Sequence, residues 1–171
     1  MPRLDGLRVV RSKIHGYGLV TTRRFAAGDV VALAEGVVFR EDDVFDDTYA
    51  LVLPGEDHAD VAGGEDFYFD LVDQTRWINH SCAPNTEVES GRDPVTGTPV
   101  AWWVALRDLE PGEELVYDYA FVGALAEPCA CGAPHCRGLI VDPDPDELAA
   151  IPEHLRHHLR GDIAEQQRAA G

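Results

Sequence analysis

The sequence predicts a mainly β fold built from short strands, with a helical segment towards the C-terminal end. Short β-type runs separated by glycine and proline turns recur over the first 120 residues. From Pro145 the apolar residues instead recur at intervals of three and four, which is the period of a helix face, and Pro152 is the expected break point. A chain of 171 residues can bury a core and is about the size of one domain.

Each predicted strand is a run of β-branched, aromatic or aliphatic residues that ends at a turn signal. Five strands are predicted in the first half of the chain: Leu7–Arg11, Leu19–Thr22, Asp29–Leu33, Gly36–Arg40 and Phe67–Leu71. Residues 41–66 are acidic and contain several glycines, so we expect a variable loop there. Three strands follow in the second half: Thr86–Ser90, Val100–Leu106 and Leu115–Tyr119. Asp93–Gly97 is the expected hairpin turn between the first two, and Glu110–Glu113 is a further tight turn.

The charge balance restricts the partners of the protein. Thirty-one acidic side chains oppose 14 lysines and arginines, which gives a formal net charge of −17. Binding to a nucleic-acid backbone is driven by basic surface, so we expect no direct nucleic-acid binding. An acidic surface instead favours a basic partner, such as a peptide rich in lysine and arginine. The alternative is that the charge serves solubility alone.

The sequence gives no sign of targeting to a membrane. The N-terminal residues lack an apolar signal region, and no apolar run reaches the ~20 residues that cross a bilayer. We therefore expect no membrane association and a cytoplasmic location. Four cysteines in a reducing compartment indicate metal binding or catalysis rather than disulfides.

Three of the four cysteines form a compact cluster. Cys129, Cys131 and Cys136 have the spacing C-x-C-x4-C on a loop with glycine and proline, so their thiolates can converge on one ion. A tetrahedral zinc site needs a fourth ligand, and Cys82 would tie the loop to the middle of the chain. His135 is the alternative fourth ligand, and free thiols are the alternative to any metal site. Such a closed site would be structural and would order the loop.

Cys82 follows a polar segment that spans Arg76–Asn85. Asn79, His80 and Ser81 stand in a row before the cysteine, with proline and asparagine after it. This composition predicts an irregular segment rather than a strand. An Asn-His pair alone is usually turn chemistry or a satisfied polar group in a core. Its place beside a candidate metal ligand favours a functional role.

Two other segments carry chemically useful groups. Gly112–Tyr119 ends in two alternating tyrosines on one strand face, with Asp118 on the other face. Such alternation is most often core packing, but paired phenols can also line a channel and offer hydroxyls to a reacting amine. His15–Gly18 has two glycines that allow a ligand to approach the backbone closely, although a lone G-x-G is more often a turn.

In this order and spacing, the four segments resemble the SET-domain protein-lysine N-methyltransferases that carry a post-SET zinc-binding loop. The resemblance runs from about Leu7 to Leu139, and Arg137-Gly138 after the last cysteine adds to it. It implies a SET-domain, β-clip-like fold of short sheets with a knot-like C-terminal arrangement, plus a C-terminal helix. It divides the chain into a SET domain at 1–122, a post-SET zinc loop at 123–140 and a C-terminal helical tail at 141–171.

The resemblance also implies cofactors, a substrate and the roles of residues. S-adenosyl-L-methionine would bind in one pocket, and a lysine of a basic protein or peptide would enter from the opposite face through a narrow channel. Tyr119 would be the catalytic tyrosine, and Tyr117 would occupy the switch position, where tyrosine usually restricts the product to monomethyl-lysine. Five residues would contact the cofactor: Gly16, Tyr17, Gly18, Asn79 and His80. One structural zinc ion would be held by four thiolates: Cys82, Cys129, Cys131 and Cys136.

The sequence departs from the family pattern at one point. Many relatives have an aromatic residue just before the first post-SET cysteine, where it packs on adenine. Here Glu127-Pro128 stands in that place, and the nearest aromatic residue is Phe121. Two rival classes are a non-catalytic SET-like module that binds a basic peptide or partner protein, and a zinc-stabilised interaction domain unrelated to methyl transfer.

Overall fold

The computed structural model describes residues 4–55, 65–161 and 163, and its regular structure is mainly β. Twelve short strands, β1 to β12, lie within these ranges: Leu7–Arg11, Tyr17–Thr21, Val30–Leu33, Gly36–Phe39, Ala50–Leu53, Phe67–Leu71, Asn79–His80, Thr86–Arg92, Pro99–Ala105, Val116–Tyr117, Glu127–Pro128 and Leu139–Ile140. One α-helix, α1, spans Pro145–Ala150. Three short 3₁₀ helices complete the described elements: Gln74–Trp77, Gly123–Leu125 and Glu153–His158. The predicted mainly β class is confirmed.

The strands form five small sheets. β1 pairs with β2, and β11 pairs with β12, both antiparallel. Two three-stranded antiparallel sheets have the orders β3-β9-β8 and β4-β6-β5. The fifth sheet is the parallel pair of β7 and β10, whose strands are far apart in the sequence. The predicted hairpin is the β8–β9 pair, with the turn at Asp93–Gly97 closed by a hydrogen bond from the Gly97 N–H to the Asp93 carbonyl.

One main core lies between these sheets. Trp103 of β9 is fully buried, and Phe25, Phe67 and Phe69 are almost fully buried around it. These side chains alternate with less buried ones along β6 and β9, as expected of strands with one face against a core. Tyr117 packs on the edge of this core, so the core supports the strand that carries the candidate site.

A smaller core holds the C-terminal part of the described chain. Leu139 and Val141 pack there with Leu148 and Ile151. The Asp144 side chain caps α1 by accepting a hydrogen bond from the Asp146 N–H. The helix ends at Ala150, and a 3₁₀ helix begins after Pro152, so the predicted helical segment does divide at this proline. No helix in the described ranges is long and apolar enough to cross a membrane.

Three local predictions are wrong. The segment predicted as a variable loop contains β5, and residues 56–64 of it lie outside the described ranges. Asn79 and His80 form a short strand rather than an irregular segment, because their backbone pairs with Val116 and Tyr117. The last predicted strand is correspondingly shorter and includes only Val116–Tyr117, since no other strand pairs with the residues that follow.

Candidate active site

The parallel pair of β7 and β10 brings the two central motifs together. Asn79 lies opposite Val116, and His80 lies opposite Tyr117. The Ser81 N–H donates to the Tyr117 carbonyl at 3.0 Å, which extends the pairing by one residue. Residues that are far apart in the sequence therefore share one small sheet, and the polar motif stands directly beside the tyrosine motif.

Asn85 fixes this arrangement from the end of the polar motif. Its Oδ1 accepts from the Val116 N–H at 2.9 Å, and its Nδ2 donates to the Glu114 carbonyl at 2.8 Å. The side chain is 5% exposed. Its two hydrogen bonds therefore satisfy buried backbone groups of Glu114 and Val116 that no neighbouring strand pairs with in the described residues. The sequence marks Asn85 only as a residue that flanks the motif, whereas the structure shows it holding the strand with the tyrosines.

Tyr117 and Tyr119 form an aromatic surface beside this sheet. Their ring centroids are 4.7 Å apart, and Trp103 lies 5.7 Å from the Tyr117 ring. The Tyr119 hydroxyl donates to the Ile78 carbonyl at 2.9 Å. Burial raises the pKa of both phenols above the ordinary value. Both tyrosines are therefore neutral at physiological pH and can act as hydrogen-bond donors rather than as strong bases.

Two more aromatic residues adjoin Tyr119. Phe121 lies 5.6 Å from its ring, and the Tyr49 phenol is near enough to raise the pKa of Tyr119 further. Arg76 lies over the Tyr49 ring at 5.3 Å. No sequence pattern marks Tyr49, because it belongs to the acidic segment between β4 and β5. The structure adds Tyr49 to the candidate site.

Asn79 joins the glycine loop to the polar motif. Its Nδ2 donates to the carbonyls of Tyr17 and His15, at 2.8 and 3.2 Å, and to Glu114 Oε1 at 2.9 Å. Three oxygen acceptors around one nitrogen fix the orientation of the amide. Its Oδ1 accepts no hydrogen bond from the described residues and can receive a donor from a ligand. Gly16 has a φ of +48°, which explains one of the two glycines in the loop.

His80 uses both ring nitrogens within the protein. Nδ1 accepts from the Tyr119 N–H at 3.2 Å, so the ring proton is on Nε2, which lies 3.4 Å from Cys82 Sγ. Burial lowers the pKa of His80 to about 4, while Asp118 opposes and Arg137 favours this shift. The neutral ring therefore donates towards the Cys82 sulfur, and its only lone pair is already engaged.

The four cysteines come together as the sequence predicts. Metal-binding atoms of His80, Cys82, Cys129 and Cys131 all lie within 4.8 Å of one another. The Cys82 and Cys129 sulfurs are 3.8 Å apart, and the Cys136 side chain is close enough to Cys129 and Cys131 to influence their pKa values. The Tyr119 N–H occupies the Nδ1 lone pair of His80, so the Nε2 atom faces Cys82 as a donor. His135 is exposed and does not join the thiols. The cluster is compatible with a zinc site.

Backbone amides hold the thiols in place. The Arg137 N–H lies 3.4 Å from Cys82 Sγ, and the Gly138 N–H lies 3.3 Å from Cys136 Sγ. Burial raises the pKa of Cys82 to about 11. At Cys131 burial also acts to raise the pKa, but backbone and side-chain hydrogen bonds together lower it to about 7. A cation must therefore displace protons from part of the cluster, and binding becomes weaker as the pH falls.

An ion pair links the cysteine loop to the tyrosine motif. Arg137 binds Asp118 through two hydrogen bonds of 2.7 and 2.6 Å, and the arginine side chain is 11% exposed. Asp118 lies between Tyr117 and Tyr119 in the sequence. Two-point pairing of this kind is the strong form of a charged hydrogen bond. The loop is therefore attached to the aromatic surface as well as to Cys82.

The structure brings the predicted groups of site residues next to one another. The glycine loop contacts Asn79, the Asn79 strand pairs with the tyrosine strand, and His80 contacts both Tyr119 and Cys82. Tyr17 also packs on Trp77 with ring centroids 5.6 Å apart. The arrangement offers a free amide acceptor, neutral buried phenols and a thiol cluster side by side.

Comparison with known proteins identifies the family. A model of the SET domain matches residues 16–120. The chain is 38% identical over 142 residues to human histone-lysine N-methyltransferase 2B, covering 78% of this chain and 5% of the relative. It is 35% identical over 147 residues to the H3 lysine-4 specific histone-lysine N-methyltransferase of Cryptococcus neoformans var. neoformans serotype D, covering 80% of this chain and 10% of the relative.

Solved structures show the same fold. The crystal structure of KRYPTONITE in complex with mCHH DNA, H3(1-15) peptide and SAH has a TM-score of 0.62 and 26% sequence identity, covering 78% of this chain and 29% of that one. The chain thus spans a small part of the length of these relatives. The region matched by the family model contains the glycine loop, the Asn79 motif and both tyrosines. The chain belongs to the SET-domain family.

Proposed function

We propose that the protein is an S-adenosylmethionine-dependent protein-lysine N-methyltransferase that monomethylates a lysine in a basic protein. The observation that carries this proposal is the parallel pairing of β7 and β10, which aligns the tyrosine strand with Asn79 and His80 and brings Tyr119 against His80. Relatives named as histone-lysine N-methyltransferases support the activity, and a similar structure solved with an H3 peptide and SAH supports the substrate class and the cofactor.

The residues around the glycine loop fit the cofactor. Asn79 Oδ1 is an acceptor without a partner among the described residues, and it suits the ammonium group of a methionine moiety. The backbone of Gly16, Tyr17 and Gly18 would contact the same moiety. Both ring nitrogens of His80 are engaged, so its backbone or ring face would meet the adenine. S-adenosylmethionine, when bound, supplies an electrophilic methyl group on a sulfonium.

The aromatic surface suits a neutral lysine. An amine with a pKa near 10.4 must lose its proton before it can attack, and burial among aromatic side chains disfavours the ammonium form. The Tyr119 hydroxyl would orient the amine and stabilise positive charge through its oxygen, because its proton is donated to the Ile78 carbonyl. Tyr117 stands next to it and would occupy the space that an additional methyl group needs. Attack also requires the amine nitrogen, the methyl carbon and the cofactor sulfur to be collinear, and the surrounding aromatic side chains would hold the amine in that position.

A structural zinc would hold the loop that completes the site. We propose that Cys82, Cys129, Cys131 and Cys136 are its ligands, because the His80 ring is oriented as a donor towards Cys82. Zinc, when bound, would supply a fixed link between the loop and Cys82, which follows β7. The Asp118–Arg137 ion pair supports the same attachment.

The acidic surface supports a basic substrate. Asp46 and Asp47 are exposed and come just before Tyr49, which adjoins Tyr119. A basic peptide would meet negative charge as it approaches the tyrosines. The net charge of −17 also supports our proposal that the chain itself binds no nucleic acid. We further propose that it acts in the cytoplasm on a protein substrate.

Transfer of a labelled methyl group tests the activity directly. The protein is incubated with S-adenosylmethionine carrying a trideuterated methyl group and with a histone H3 peptide, and mass spectrometry locates the label. We expect the label on lysine, with a KM that rises with salt because exposed charges attract the peptide. Binding of the peptide without any transfer would instead favour the non-catalytic module, and the absence of cofactor binding would favour the interaction domain.

The Tyr117→Phe variant tests the methylation state. Removing the hydroxyl frees space beside Tyr119, so we expect di- or trimethyl-lysine where the parent protein gives monomethyl-lysine. Mass spectrometry of the product peptide at long reaction times measures this ratio. Phe121→Leu, which alters a neighbouring ring without removing a hydroxyl, is the control. An unchanged product distribution in Tyr117→Phe would exclude the switch role.

A further inference from the structure

We propose that Glu114 is a positioning residue that holds the glycine loop and the Asn79 amide in the orientation that binds the cofactor. This inference rests on the proposed function and names a residue that determines the geometry of the same site. Glu114 precedes β10, and its side chain points back to the other end of the site. It therefore connects the tyrosine strand to the cofactor loop through its carboxylate.

The Glu114 carboxylate accepts hydrogen bonds from two separate elements. Oε1 accepts from the Ser12 hydroxyl at 2.7 Å and from Asn79 Nδ2 at 2.9 Å. Ser12 in turn begins the loop, since its N–H donates to the Gly16 carbonyl and its hydroxyl accepts from the Ile14 N–H. One oxygen atom thus joins the base of the loop to the amide that closes it.

The backbone of Glu114 is itself fixed against β2. Glu114 forms a bridge with Val20, and the next residue donates its N–H to the Leu19 carbonyl at 2.8 Å. The carboxylate can therefore reach Gly18 and Asn79 without any movement of the main chain. The carboxylate of the preceding residue, Glu113, does not reach Gly18 or Asn79. It pairs instead with Arg107 at 2.6 Å on the partly exposed side.

Gly18 is small because Glu114 occupies the space beside it. A Cβ atom at position 18 would overlap Glu114 Oε1 and would lie 2.7 Å from its Cδ. The backbone of Gly18 is not in the left-handed region, unlike that of Gly16. The two glycines of the loop therefore have different causes. Gly16 is needed because its φ is positive, whereas Gly18 is needed because a side chain there would overlap the Glu114 carboxylate.

The consequence for the cofactor concerns the orientation of the Asn79 amide. Glu114 and two loop carbonyls surround Nδ2, which leaves Oδ1 as the acceptor that faces away from them. Without the carboxylate, the amide loses its charged acceptor, and Ser12 at the base of the loop loses its link to the amide. The amide then keeps only the two loop carbonyls as acceptors, so it is held less firmly, and part of the population can present a donor where the ligand needs an acceptor.

Calorimetric titration with S-adenosylhomocysteine tests this role. We expect Glu114→Ala to weaken binding about ten- to a hundredfold, which corresponds to losing hydrogen bonds to a partly buried charged group. Glu114→Gln keeps an oxygen that can accept from Ser12 and Asn79, so it should recover most of the affinity. Glu113→Ala is the matched control and should bind within about threefold of the parent protein, because it makes none of these contacts.

A double-mutant cycle with Gly18→Ala separates positioning from a general loss of stability. Gly18→Ala alone should weaken binding strongly, because the new methyl group displaces the carboxylate. In the Glu114→Ala background the same change should have a much smaller effect, since the clashing atoms are absent. Additive effects in this cycle, or full affinity in Glu114→Ala, would overturn the proposal.

The parent protein distinguishes this proposal from the proposed function. If it fails to bind S-adenosylhomocysteine, the proposed function and the positioning role both fall. If it binds and Glu114→Ala binds equally well, only the positioning role falls. Should Glu114→Ala fail to fold, Glu114→Gln and Gly18→Ala still decide the question, because tight binding by Gly18→Ala contradicts the packing argument.

Discussion

The Tyr119→Phe variant is expected to transfer methyl groups about 10²- to 10³-fold more slowly than the parent protein, a loss typical of removing one oriented hydroxyl from a reacting centre. Its affinity for S-adenosylhomocysteine should stay within about threefold, because the ring continues to pack between His80 and Phe121. Single-turnover transfer to a lysine peptide and calorimetric titration measure the two quantities separately.

Tyr68→Phe is the matched control for this variant. Tyr68 is a partly buried tyrosine of β6 that packs on Phe45, and it makes no contact with the tyrosine motif that the structure describes. We expect Tyr68→Phe to keep the transfer rate of the parent protein, because it loses a phenol oxygen that lies away from the tyrosine motif. Full activity in Tyr119→Phe would remove this hydroxyl from the mechanism.

Removal of the metal is expected to have the second large effect. Elemental analysis should give one zinc per chain, and Cys129→Ser should lose it, because three thiolates and a hydroxyl form a much weaker site. The loop then loses its link to Cys82, so we expect the melting temperature to fall and affinity for S-adenosylhomocysteine to drop more than about tenfold. Elemental analysis, thermal unfolding and calorimetry on the same sample measure this.

His135→Ala is the control for the metal site. His135 lies on the same loop but is exposed and away from the thiols, so the variant should keep one zinc and the stability of the parent protein. Loss of zinc from this variant would make His135 a ligand. A zinc-free parent protein that remains folded with an ordered loop would contradict the assignment of the cysteine cluster.

Features with a local cause could be predicted from the sequence. The β8–β9 hairpin follows from alternating strand residues around a turn, and the helix break follows from Pro152. The cysteine cluster could also be predicted, because three thiols spaced so closely have few other uses. In each of these cases the deciding residues are neighbours in the chain.

Features that depend on tertiary contacts could not be predicted. Asn79 and His80 become a strand only because Val116 and Tyr117 pair with them, and two residues carry no periodicity of their own. Tyr49 reaches Tyr119 from an acidic segment that predicts a loop. Gly18 is likewise required by a carboxylate that is distant in the sequence rather than by a turn, so a turn interpretation of the G-x-G pattern explains only Gly16.

The most direct measurement is a crystal structure of the protein with S-adenosylhomocysteine and a lysine-containing H3 peptide. We expect the cofactor sulfur near the glycine loop and Asn79, and the lysine nitrogen on the other side of the Tyr119 hydroxyl, with an open passage joining the two. The contradicting result is a Tyr119 that is sealed inside the protein, with the cofactor bound elsewhere or no passage between the two ligands.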